Sequence, residues 1–184
     1  AYDQLFDGID FDLEWFSSGG SDSNTVKGCG DNLARQADIM RTYYKQQNID
    51  PIITSAPQTP YFTEKSWAID YVEMDKNHPD TFDWYNIQFY NNGNGNTYDS
   101  TIGYNANAPN TIQYMINRGI PNNKIVLGKC GVGGNCCNEA DYVGGVTLLR
   151  WAIQASLKGI MYWSYLGACN PEATDWLKAQ TSAV

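Results

Sequence analysis

Cations are scarce in this chain. Of 184 residues only 12 are Lys or Arg, against 20 Asp or Glu, and the formal charge is −8. No basic stripe exists for a phosphate backbone to follow, so nucleic acid is not expected as a partner. Histidine is nearly absent: His78 stands alone in the turn-like NHPD, and no CxxC spacing occurs. A zinc site therefore lacks its usual ligands. No apolar run approaches the ~20 residues that cross a bilayer, so no membrane span is expected. No basic-then-apolar segment opens the chain, so no signal peptide is read here, and Ala1 reads as an interior or processed start. No N-x-S/T sequon occurs, so glycosylation lends secretion no support. No linker, repeat or low-complexity tract divides residues 1–184 into two domains.

Aromatic residues, in contrast, are plentiful, with 6 Trp, 13 Tyr and 6 Phe. Most of these belong in a core, but an acidic surface rich in aromatics suits a neutral, stackable ligand such as a sugar. Cys29, Cys130, Cys136, Cys137 and Cys169 make an odd set, four of them in Gly/Asn-rich contexts. They read as disulfide chemistry in an oxidising compartment, with one thiol left over, and predict a secreted or cell-wall location.

Strand and helix signals alternate along the chain. LFDGIDFDLEW reads as a strand. GDNLARQADIMRTYYKQQN is a helix with Leu33, Ala37, Met40 and Tyr44 on one face and Asp31 or Asn32 as its cap. PIITSA is a second strand, Ser66 to Lys76 holds a helical piece, and FDWYNIQFYNN is a third strand. A helix over NTIQYMINRG closes at Gly119, and KIVLGK is the fourth strand. VGGVTLLRWAIQASLKG is a helix stopped by Gly159, GIMYWSYLG a fifth strand, and PEATDWLKAQ a last helix near Pro171. Five β-then-α units imply a parallel α/β sheet, either doubly wound or a (β/α) barrel.

The first strand separates these two. With period two, Asp10, Asp12 and Glu14 share one face, and Ile9, Phe11 and Leu13 the other. A sheet covered by helices on both faces would not tolerate the acidic face. The C-terminal mouth of a barrel would, because catalytic groups gather there. Crowded like charges cannot all ionise cheaply, so at least one pKa must rise, which makes a general acid available at neutral pH. Glu14, with the longest reach and nearest the open end, is the candidate proton donor. Asp12 orients or stabilises charge, and Asp10 supports it from below. Asp7 falls off this parity and reads as a structural acid. The same acids could hold a divalent metal, but no second acid cluster completes a coordination shell, so no metal or cofactor is expected. Parity also places Asn86, Gln88 and Tyr90 on one face of their strand, and Met161 and Trp163 on one face of theirs.

DGIDFDLE resembles the D-x-x-D-x-D-x-E signature of glycoside hydrolase family 18, the chitinases and related endo-N-acetylglucosaminidases. APQTPY, IQFYNN and GIMYWSY resemble, in order, the APQ-x-P, VQFYNN and last-strand segments of its class III, hevamine-type chitinases. The resemblance implies a (β/α)8 TIM barrel and a substrate-assisted retaining cleavage of β-1,4 linkages in chitin or N-acetylglucosamine oligosaccharides. It implies Glu14 as acid, Asp12 on the acetamido N–H, Asp10 behind Asp12, and Tyr90 donating to the acetamido oxygen. Trp163 would form the floor under the sugar, and Gln88, Asn91 and Met161 would contact substrate. In such a barrel Cys169 is within reach of Cys130, Cys136 or Cys137 at the mouth, and Cys29, in a loop after the acidic strand, of Cys136 or the missing part; the connectivity is left open.

The signature normally lies on the fourth strand of that family's barrel. The chain thus resembles units 4 to 8 of a catalytic domain, and the first three units are expected from another segment or another chain. An open arc leaves two parallel edges, so the isolated piece is expected to be inactive or to aggregate. Two rival functions fit the same resemblance: an inert chitinase-like carbohydrate-binding or structural protein, and an endo-β-N-acetylglucosaminidase acting on N-glycans. The retained Glu14, Asp12 and Tyr90 speak against the first, and QFYNN against the second.

Overall fold

The computed structural model describes residues 6–14, 23–63, 69–92, 97–103, 108–130 and 143–163. Five strands form one parallel sheet in sequence order: β1 (Gly8–Phe11), β2 (Ile52–Ser55), β3 (Trp84–Gln88), β4 (Ile125–Cys130) and β5 (Gly159–Trp163). Helices α1 (Ser23–Gln46), α2 (Tyr71–Asn77), α3 (Tyr98–Thr101), α4 (Ile112–Arg118) and α5 (Gly145–Gln154) connect them, with 3-10 turns at Thr59–Phe62 and Asn122–Lys124. This is the five-unit arc of a (β/α)8 barrel, with β1 and β5 at its two edges.

Register explains which residues meet. Asp10 pairs with Thr54, Gln88 with Gly128, Gly128 with Met161, and Cys130 with Trp163. Paired residues of a parallel sheet share a face, so the polar and small residues of all five strands converge on one side. The other side carries Ile53, Tyr85, Ile87, Ile125 and Leu127, all fully buried under the helices with Tyr61, Phe62, Tyr71 and Phe82. Tyr71 stacks on Tyr61 with centroids 6.4 Å apart and meets Tyr85 edge-on at 5.6 Å.

Two glycines are demanded by close approach. A Cβ on Gly8 would lie 1.7 Å from the carbonyl oxygen of Ile52, and one on Gly128 would lie 2.5 Å from that of Ile87. Neither backbone oxygen can retreat without breaking the sheet.

Several boundaries differ from the sequence reading. β1 ends at Phe11, and Asp12 to Glu14 continue beyond the ladder. Helix α1 starts at Ser23, eight residues before Asp31, so Asp31 and Asn32 lie inside it rather than capping it. Asp31 instead pairs with His78 at the C-terminal cap of α2, 3.2 Å away. Cys29 falls within α1, not in a loop, and is a free thiol. The real cap signals are Asp70, which accepts from Val72 and Glu73 N–H, and Thr111, which accepts from Tyr114 N–H. Gly119 closes α4 at φ 115° as expected, whereas α5 ends at Gln154 and Gly159 opens β5. Cys136, Cys137, Cys169 and the helix near Pro171 lie outside the described residues.

Candidate active site

The acids stand at the C-terminal end of β1, where a parallel sheet opens to ligands. Asp10 is the last of them within the strand. Its Oδ1 accepts from the Thr54 hydroxyl and from the Asn86 side-chain nitrogen at 3.0 Å. Asn86 in turn accepts from the Trp84 indole N–H at 3.1 Å, so a chain of donors across three strands aims at Asp10. Asp12 and Glu14 meet one shared donor. The Gln88 side-chain nitrogen lies 3.0 Å from Asp12 Oδ1, 3.0 Å from Glu14 Oε1 and 2.7 Å from the Ala56 carbonyl.

The carboxyl of Asp12 has a raised pKa. Partial burial pushes its carboxyl up first, the negative charges of Glu14 and then Asp10 add to that, and the Gln88 hydrogen bond opposes them. Asp12 remains exposed as a residue, so water tempers the effect. Tyr90, just past β3, is 5% exposed, and burial, followed by the charges of Asp12, Glu14 and Asp10, pushes its phenol up. It is thus held protonated, as a hydrogen-bond donor, beside the acids.

The other predicted residues divide. Met161 lies on the same inner face, and its Cε packs where a Gly128 side chain would stand. Trp163 ends β5 on that face, 45% exposed, at the opposite edge of the sheet from the acids. Asn91 follows Tyr90 in the left-handed region at φ 59°, at the turn off β3, and is exposed. Asp7 is exposed, and it is its backbone carbonyl that serves the fold, accepting from Ile52 N–H at 3.0 Å. Among the described residues no group of three or more His, Cys, Asp and Glu side chains is placed to hold a metal ion.

Three neighbours escaped the sequence reading. Tyr61, 2% exposed, has its phenol pushed up by burial first and then by the charges of Glu14 and Asp12. Tyr71 is raised by burial and shares a 2.9 Å hydrogen bond with Ser55. Thr54 holds Asp10. Only the parity of PIITSA, which puts Thr54 on the face opposite Ile53, could have signalled any of them.

Solved structures share this fold. A GH18 chitinase from Pseudoalteromonas aurantia is 22% identical with a TM-score of 0.56, over 96% of this chain and 74% of that one. A fungal family 18 endo-β-N-acetylglucosaminidase is 20% identical with a TM-score of 0.64, over 97% and 56%. A class V chitinase mutant from Nicotiana tobaccum, in complex with NAG4, is 16% identical with a TM-score of 0.63, over 97% and 69%. The chain therefore spans between about half and three quarters of the length of these structures. No curated protein matches it. The family model described as glycosyl hydrolases family 18 matches residues 1–142, including the acidic strand, and the chain belongs to that family.

Proposed function

We propose that this chain carries the active site of a chitinase-type glycoside hydrolase, cleaving β-1,4 linkages of N-acetylglucosamine polymers with retention and with the substrate's acetamido group as nucleophile. One observation carries the reading: Asp12 and Glu14 share a single buried amide donor at the open end of β1, with Asp10 pinned just below them.

The roles follow from position. Glu14 gives its proton to the glycosidic oxygen as the C–O bond breaks. The acetamido oxygen forms a bond to the anomeric carbon, giving an oxazolinium ion. Asp12 accepts from the acetamido N–H and offsets the positive charge, and Asp10 reinforces the negative potential behind it. Tyr90 donates to the acetamido oxygen. Water then adds at the anomeric carbon, giving its proton to the Glu14 carboxylate, and the ring opens back to the acetamide. Asn91 and Met161 border the sugar, and the exposed Trp163 offers it a stacking floor.

Support comes from the neighbours described above, two of them chitinases and one holding NAG4. The proposal includes three further barrel units, from another segment or chain, closing the arc whose edges among the described residues are β1 and β5. It also includes secretion or cell-wall association, an oxidising location that suits a disulfide at Cys130. A second reading, cleavage within N-glycans, is favoured by the likeness to the fungal endo-β-N-acetylglucosaminidase.

The test is a soluble N-acetylglucosamine oligomer incubated with the full polypeptide, following products and their anomer. Cleavage with retention, reduced more than ~100-fold in Glu14→Gln, is expected. Tight binding without cleavage would make the protein a lectin. Release of glycans from a glycoprotein, with the oligomer untouched, would establish the second reading.

A further inference from the structure

We infer that Gln88 is a positioning residue of the acid pair: anchored by Ala56, its side-chain nitrogen draws the Asp12 and Glu14 carboxylates together on one shared N–H. The inference rests on the hydrolase reading for its kinetic consequence, but not for its geometry.

An amide nitrogen carries two hydrogens, and here it has three acceptors. The shortest contact, 2.7 Å to the Ala56 carbonyl, takes one hydrogen; the other is left between Asp12 Oδ1 and Glu14 Oε1, each at 3.0 Å. The assignment of nitrogen and oxygen is forced by chemistry. Turned over, the amide would put its oxygen 2.7 Å from the Ala56 carbonyl, a contact between two acceptors.

The mounting is rigid. Gln88 is 3% exposed, its backbone N–H donates to the Pro57 carbonyl at 2.9 Å, and its side chain reaches the Ala56 carbonyl next to it. Main chain and side chain are thus both tied to the end of β2. A neutral donor fixed in this way is suited to holding two acid side chains in reach of neighbouring groups of one sugar. Among the described residues, the groups facing the pair include no cation that could do so instead. They are Asp10 from β1, Tyr61 from the turn after β2, Tyr71 from α2 and Tyr90 after β3. The amide nitrogen, which could have been a substrate contact, is engaged inside the protein.

Gln88→Met keeps the side chain's length and removes the donor. Carboxyl-carbon NMR titration of Asp12 reads the clamp directly: in Gln88→Met the Asp12 midpoint should move further up by roughly 0.5–1 pH unit, because a hydrogen bond favouring the charged form is gone. With the oligomer substrate, kcat should fall ~10–100-fold with KM within about threefold, and the pH profile should shift with the titration. If Gln88→Met does not fold, Gln88→Leu is measured in the same way. An Asp12 titration and kcat like the wild type's in a folded variant would overturn the inference. So would a raised KM with unchanged kcat, which would put Gln88 on the substrate. If the wild type cleaves nothing, the hydrolase reading falls while the titration still decides on the clamp.

Discussion

The two faces of this sheet are built from the same five strands and solve opposite problems. The outer face is dry: Tyr85, Ile87, Ile125 and Leu127 meet Phe62, Tyr71 and Phe82 with nothing left to solvent. Polar groups within it are paired, as where Tyr85 donates to Asp75 at 2.7 Å and Lys124 joins the same carboxylate at 2.7 Å. The inner face is wet at its rim, and leaves Asp10, Asp12 and Glu14 exposed, with neutral donors and, among the described residues, no opposing cation beside them. One face is arranged for stability. The other tolerates crowded like charge, which serves reactivity at some cost in stability.

That contrast can be broken first from the dry side. Phe62→Ala removes a fully buried ring wedged against Tyr71 at 5.5 Å and Tyr85 at 6.0 Å. A loss of about 3–5 kcal/mol is expected in denaturant unfolding, more than any substitution on the acidic rim should cause. On the wet side, Glu14→Gln should do the reverse. Activity should drop more than ~100-fold, equal to about 2.7 kcal/mol of barrier, while the unfolding midpoint hardly moves. Should Glu14→Gln unfold the protein instead, the division of labour between the faces would fail.

Tyr85→Phe tests the polar network inside the dry layer. It deprives the buried Asp75 of one of its donors and should cost about 1–3 kcal/mol, with kcat unchanged. The smallest effect sharpens the comparison most. The folded pKa of Asp12 is raised, so the native state holds its proton to higher pH than the unfolded chain does. Stability is therefore lost as pH rises from the ordinary aspartate range through the raised value, and above it the penalty is complete. Asp12→Asn should slightly stabilise the protein at neutral pH, that gain should vanish in acid, and activity should fall. Thermal melts at pH 3 and pH 7 would show it. A neutral-pH melting temperature lowered by Asp12→Asn would mean that the charge is stabilising.

Much of this was legible in advance, for local reasons. Alternation in FDGIDFDLE separates Asp10 from Ile9 and Phe11 because neighbouring residues of a strand must face opposite ways. Gly119 announces the end of α4 because a left-handed turn suits glycine. Other features were misread because their signals are not local. Asp31 looks like a helix cap, yet α1 begins earlier and the carboxylate serves His78 instead. The roles of Gly8 and Gly128 belong to oxygens of neighbouring strands, which no window along the chain contains. Gln88 was legible as an inward side chain, but not as the shared donor of two acids more than seventy residues earlier.

By itself, the sequence determined the alternation of strands and helices, the face on which the acids stand and the family to which the chain belongs. These follow from short-range periodicity and from a motif whose residues are neighbours along the chain. Only the tertiary structure decided that burial and neighbouring charge raise Asp12, which donor the acids share and which tyrosines surround them. Those depend on register between strands, where a shift of one residue would turn Gln88 away from Asp12 and Glu14 and leave the charges without their common partner.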